Sequence, residues 1–237
     1  MIVYGRNPVR ELLRGRRAAR RIHATEAIAR EGWLARDAGV PVEHASADEV
    51  ASLCGSEEHQ GLCAEADPYP YAAAGDLLAP EDALVLCLDQ VQDPHNLGAA
   101  CRVAEAAGAS VAIPERRAAH VTPAVCKASA GAVEHLALTR VANMADFLAQ
   151  AKRAEAWVYG ADAEARVSYD QPDYSGRVVL VLGSEGKGLR PRVAGACDEL
   201  VALPRRGAVG SLNVSTAAAA LVYGILHFRA RGLDRAP

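Results

Sequence analysis

Three short segments carry residues whose types and spacing are suited to chemistry. The first reads Leu203-Pro204-Arg205-Arg206-Gly207-Ala208-Val209-Gly210-Ser211-Leu212-Asn213-Val214-Ser215 and runs into an alanine-rich stretch. Its hydroxyl and amide side chains gather where a helix begins and backbone N–H groups lie free, so it reads as a binding loop. The second, Asn96-Leu97-Gly98-Ala99-Ala100-Cys101-Arg102, sets an amide and a guanidinium on the first turns of a helix. The third, Gly183-Ser184-Glu185-Gly186-Lys187-Gly188-Leu189, follows the apolar run 178–182. Its glycines, with those at 207 and 210, let backbone approach a ligand closely, although each alone also suits an ordinary turn. Its Gly-Lys pair does not belong to a phosphate loop of the nucleotide-hydrolysing kind: the spacing differs and no Ser or Thr follows Lys187.

These segments need a frame. Apolar runs predict strands at 83–88, 109–113, 156–160, 178–182 and 199–203, and helical periodicity predicts helices at 96–107, 122–129, 143–154 and 211–229. Strand and helix alternate, as a parallel sheet requires. Residues 1–67 alternate apolar runs with helical patterns and form a smaller α/β unit. Between the units, residues 68–80 hold Pro68, Pro70 and Gly75 without periodicity and read as a linker, leaving 81–237 as the second domain.

Composition bounds the class. The 237 residues are 51% hydrophobic, enough for a substantial core. No apolar stretch is long enough to span a bilayer, and neither end shows a signal peptide, so a cytoplasmic protein without a membrane partner is expected. The six cysteines lie far apart without a CxxC pair, which argues against a zinc site or a disulfide framework and for small core residues. His95, His120 and His135 are scattered and read as loop or surface groups rather than metal ligands.

A net charge of −3 argues by itself against a nucleic-acid partner. The distribution argues the other way: Arg6, Arg10, Arg14, Arg16, Arg17, Arg20 and Arg21 stand against the single acid Glu11, a concentrated positive stretch expected to hold RNA. The competing reading is a solvated basic face.

In order and spacing, the three segments resemble the SpoU/TrmH family of RNA ribose 2′-O-methyltransferases, of the SPOUT class, over residues 83–229. Tyr4-Gly5-Arg6-Asn7-Pro8-Val9 and His59-Gln60-Gly61 are similar to the L30e-like substrate-binding domain that precedes many such catalytic domains. The resemblance implies a Rossmann-like parallel-sheet domain with a carboxyl-terminal trefoil knot. It implies S-adenosylmethionine as cofactor, touched by Gly183, Leu203 and Leu212, with Gly186 and Gly188 beside them. Arg102 would act at the reacting centre, assisted by Asn96, with Glu185, Ser211 and Asn213 nearby.

An arginine is a poor general base because it stays charged, so Arg102 is expected to grip phosphate or ribose and stabilise developing oxygen charge. Its competing reading is a pair with Glu105. Glu185 could equally hold its loop, and Asn213 could cap the last helix. In residues 122–132, Ser129 and Gly131 would help receive RNA. The segment that opens at Leu203 departs from the family's usual Ile-Pro-Met by carrying Leu203-Pro204-Arg205, where Arg205-Arg206 would add phosphate contacts. The implied substrate is RNA rather than DNA, since only RNA offers the 2′-hydroxyl, and most nearly a guanosine of 23S ribosomal RNA, methylated by a homodimer. Alternatives are a transfer-RNA or antibiotic-resistance methyltransferase and a catalytically silent RNA-binding protein.

Overall fold

A computed structural model describes residues 1–208 and 210–233; Val209 of the binding loop lies outside the described residues. The chain divides into two compact units. The first comprises Met1–Pro70 together with Val121–His135. It holds β1 (Ile2–Tyr4), α1 (Arg6–Arg14), β2 (Ala19–Ala24), α2 (Glu26–Ala29), α3 (Gly32–Asp37), β3 (Val42–His44), α4 (Ala47–Cys54) and β4 (Leu62–Ala66). The sheet order is β1-β4-β2-β3, antiparallel except for β2 with β3. Local sequence explains α4: Ser46 and Glu49 form a reciprocal capping box, and Gly55 closes the helix at φ 62°, a left-handed conformation that favours glycine.

The helix at Pro123–Ala128 and the residues after it fold with this unit, although sequence order puts them in the second domain. An ion pair ties them in. The Arg17 guanidinium bonds Glu134, Nε donating to Oε2 at 3.1 Å, with both side chains 1% exposed or less. Arg17 also donates to the Asp67 carbonyl at 3.1 Å and lies over the Tyr69 ring.

The second unit comprises Tyr71–His120 and Leu136–Pro237. It contains β5 (Leu84–Leu88), α5 (Pro94–Ala106) and β6 (Ser110–Pro114); α6 is the Pro123–Ala128 helix of the first unit. Then come β7 (Leu138–Val141), α7 (Met144–Arg153), β8 (Trp157–Ala161), β9 (Val167–Ser168), β10 (Val178–Leu182), α8 (Pro191–Ala194), β11 (Glu199–Ala202) and α9 (Val214–Leu233). All seven strands run parallel in the order β7-β6-β5-β10-β8-β11-β9. The central β5 and β10 are wholly buried, which is why their sequences are unbroken apolar runs rather than alternating ones.

Successive strand residues face opposite sides. Val85, Cys87, Val179 and Val181 pack with Met144, Phe147 and Leu148 of α7, while α5 packs against α9 and β6, and α9 also against β10. Leu77 and Leu78, expected in the linker, are buried in this same core. Among the described residues the cysteines are free; Cys63, Cys87, Cys101 and Cys126 are buried, and burial pushes the Cys126 thiol up to about 12.

Breaking a buried ion pair leaves an unpaired charge in a low-dielectric interior, at a cost of about 3–5 kcal/mol. Glu134→Ala should therefore cost the protein about that much in urea unfolding. The isosteric pair replacement Arg17→Met with Glu134→Leu should recover most of it, and equal losses in both variants would contradict the assignment.

Candidate functional site

Strand order reverses at β5: the chain moves outward from β5 through β6 to β7 on one side, then crosses to the other side, where β10, β8, β11 and β9 lie in that spatial order. Such a switch point opens a crevice outside the carboxyl ends of the strands. All three segments singled out by sequence lie at that edge.

They meet at one carboxylate. Glu185 Oε1 accepts from Asn96 Nδ2 at 2.9 Å, from Asn213 Nδ2 at 2.7 Å and from the Val214 amide at 3.4 Å. Asn213 Nδ2 also donates to Asn96 Oδ1 at 2.8 Å. Each segment thus contributes one side chain to a closed ring of hydrogen bonds. Asn213 does more than close the ring, because its Oδ1 accepts from the Ser215 and Thr216 amides at 2.9 and 3.3 Å and so caps α9. Capping and ring membership use different atoms of one side chain, so the two readings of Asn213 hold together.

The loop bearing Glu185 is shaped by glycine. A Cβ on Gly183 would stand 2.1 Å from the carbonyl carbon and oxygen of Gly188, a separation no side chain tolerates. The turn closes over Gly183 through Gly188 N donating to Ser184 O at 2.9 Å, and Gly186 and Gly188 take φ 77° and 64°. Beyond the turn, Arg190 forks onto Asp89 with bonds of 2.9 and 2.6 Å. The Asp89 side chain is wholly buried at the end of β5, and its bond raises the Arg190 guanidinium pKa further. This clamp ties the exit of β5 to the far end of the glycine loop. Sequence reasoning missed it, though an acid directly after a buried strand was the available signal.

Beside the ring lies a cleft of about 500 Å³. Gly183, Gly186, Gly188, Leu203 and Leu212, the five residues expected to touch cofactor, all line it, as do Glu185, Ser211 and Asp162. Asp162, just beyond β8, was not foreseen. Leu212 is half exposed at the wall, an apolar surface suited to cover by a ligand. Arg205 lines the cleft but is occupied: it donates to the carbonyls of Gly210 and Ala163 and pairs with Glu164, holding the loop instead of reaching outward.

The remaining expectations fare differently. Arg102 is exposed on α5, and among the described residues it bonds neither Glu105 nor any ring member. Ser129 is fully buried, its Oγ donating to Cys126 O at 3.1 Å, so it does not receive RNA. Gly131 is buried at φ 89°, where a Cβ would stand 2.7 Å from Glu11 Cβ; it is a packing glycine. The amino-terminal arginines are largely neutralised: Arg6 by Glu31, Arg14 by Glu11 and Asp37, Arg17 by Glu134, Arg20 by Asp67 and Arg21 by Glu43. Arg17 is buried and cannot meet RNA at all, whereas Arg10 lies over Trp33 and Arg16 donates to His135 O. The concentrated positive stretch read from sequence is therefore mostly ion pairs.

Two substitutions test this architecture. Gly183→Ala should collapse the loop and abolish small-molecule binding in the cleft, measured by calorimetric titration. Arg190→Ala should lower stability by about 2 kcal/mol, because Asp89 is left buried without its partner while Arg190 itself is half in solvent; unchanged denaturant midpoints would refute the clamp.

Comparison with known proteins agrees with this geometry. The SpoU rRNA Methylase family model matches residues 83–223, and the model for RNA 2′-O ribose methyltransferase substrate binding matches residues 2–72. The putative TrmH family tRNA/rRNA methyltransferase YacO of Bacillus subtilis is 40% identical over 202 residues, covering 83% of this chain and 81% of that protein. A putative RNA methyltransferase of the TrmH family from Porphyromonas gingivalis has a similar structure, with TM-score 0.77 and 30% identity over 94% of this chain and 88% of that one. The SpoU methyltransferase AviRb from Streptomyces viridochromogenes, solved with AdoMet, shares the fold at TM-score 0.84 and 22% identity, over 97% and 90% of the two chains. Three segments joined at one carboxylate and a family match over most of the sheet domain lead to one conclusion: this chain belongs to the SpoU/TrmH family of RNA methyltransferases.

Proposed function

We propose that this protein transfers a methyl group from S-adenosylmethionine to the ribose 2′-hydroxyl of a guanosine in 23S ribosomal RNA. The observation that carries the reading is the Asn96–Glu185–Asn213 ring standing beside a cleft walled by a glycine loop and leucines. The cleft suits the cofactor: its volume is that of an ordinary small-molecule site, its leucines offer an apolar cradle for a base, and its glycines expose main-chain donors and acceptors. When bound, the cofactor supplies an electrophilic methyl carried on a sulfonium.

The chain's own residues then have distinct roles. Gly183, Leu203 and Leu212, with Gly186 and Gly188, hold the donor. A ribose hydroxyl is a weak nucleophile at its own pKa, so it must be oriented as much as activated. Glu185, Asn96, Asn213 and Ser211 present fixed polar groups at the mouth of the cleft. Arg102, permanently charged, grips the neighbouring phosphate or ribose and stabilises charge building on oxygen. An RNA substrate is supported by the amino-terminal unit, which matches a model for RNA 2′-O ribose methyltransferase substrate binding, and the ribosomal assignment by the SpoU rRNA Methylase model that matches residues 83–223. A cytoplasmic homodimer with a carboxyl-terminal trefoil knot belongs to the same reading.

Labelled methyl should pass to unmodified 23S RNA transcript and resist alkaline cleavage at one guanosine, since that cleavage needs a free 2′-hydroxyl. Label only in transfer RNA would overturn the substrate, and no transfer despite cofactor binding would favour a silent RNA-binding protein. Arg102→Ala should lower kcat on the order of 100-fold with unchanged cofactor affinity; full activity would remove Arg102 from the mechanism.

A further inference from the structure

Five of the seven arginines that sequence nominated for RNA are paired with carboxylates, which raises the question of where else uncompensated cations lie. We propose that the turn at residues 115–119, following β6, grips the phosphate backbone of RNA next to the reacting nucleotide; this rests on the function proposed above. The turn carries Arg116 and Arg117, both exposed, and neither makes a hydrogen bond or ion pair with another described residue. The nearest acid in sequence, Glu115, is exposed and forms no ion pair with them, its amide donating to Val141 O at 2.9 Å.

Position makes this charge useful. β6 runs parallel to β5, so the turn stands at the same carboxyl edge as the hydrogen-bonded ring. It is fastened there: Ala119 N donates to Val91 O at 2.8 Å, and Val91 belongs to the loop that delivers Asn96. Arg117 takes φ 59°, a left-handed backbone uncommon for a residue with a side chain, so the turn carries its exposed arginines on a conformation that sequence propensity alone would not select. Two adjacent planar guanidiniums free of carboxylates match the fork geometry that phosphate oxygens accept. A phosphate contact fixes register without reading bases, which is what a reaction on ribose requires.

The test is the salt dependence of RNA binding, followed by fluorescence anisotropy with unmodified 23S RNA fragments and, in parallel, bulk transfer RNA. Arg116→Ala with Arg117→Ala should reduce the slope of log affinity against log salt by about 1 to 2 and weaken binding on the order of tenfold, with cofactor affinity unchanged. Arg117→Gly keeps the left-handed turn while removing one charge, and should reduce the slope by about 1 even if the double variant folds poorly. Arg153→Ala, an exposed charge at the end of α7 on the opposite edge of the sheet, should leave the slope unchanged. An unaltered slope in the Arg116 and Arg117 variants, or an equal fall in Arg153→Ala, overturns the proposal. Methyl transfer by the unaltered protein is measured alongside. Absent transfer with a responding slope defeats the proposed function alone, and transfer with an unresponsive slope defeats this inference alone.

Discussion

For the exposed Glu185 carboxylate to join the site's segments it needs donors from the other two, and it finds them in Asn96 and Asn213. That requirement organises the catalytic unit. Asn96 arrives on the first turn of α5 because Asp93 and Pro94 start the helix there, the Asp93 side chain accepting from the His95 amide at 2.9 Å. Asn213 arrives because it must cap α9, and α9 is fixed at its other end by Arg229, which donates to the carbonyls of Tyr174, Asp82 and Gly176. Glu185 itself is held by a turn that only glycine at 183 allows and by the Asp89–Arg190 clamp. Three independent local solutions therefore converge on one oxygen.

The amino-terminal unit obeys a different constraint. Its arginines are too close together to be left uncompensated, and the fold answers with carboxylates from α1, α3, β3 and the segment before the linker. The most demanding case is Arg17, which is buried and so requires a buried acid; the chain supplies Glu134 from an excursion far along the sequence. The net charge of −3 follows from 29 acidic against 26 basic residues over the whole chain, and several of those acids are the partners of these arginines.

How much of this was legible in the sequence follows from the range of each interaction. β5 and β10 could be read because strands buried on both faces are written as unbroken apolar runs, and α5, α7 and α9 because their periodicity is local. β7 escaped notice: its four residues include an exposed Arg140, which lies over Tyr71, and nothing in so short a run distinguishes strand from loop. The two-residue β9 had even less to show. Within the site, Asn96, Glu185 and Asn213 were expected to be near one another, but the bonds between them were not. The partners of the arginines, and the burial of Ser129 and Gly131, depend on contacts between distant segments, and residue type says nothing about those.

The ring of hydrogen bonds also sets a schedule. Its members are separated by as many as 117 positions, and the last of them begins the final helix. Closing so long a loop is entropically costly and comes late when long-range contacts have to wait for local ones. During synthesis, the sheet strands and the glycine loop emerge first, while Glu185 has neither Asn213 nor the Val214 amide to meet. A nascent chain thus holds the glycine-loop side of the cleft without its polar junction and without the wall built by Leu212, Val214 and Ala217, and the site is complete only after α9 has left the ribosome and docked.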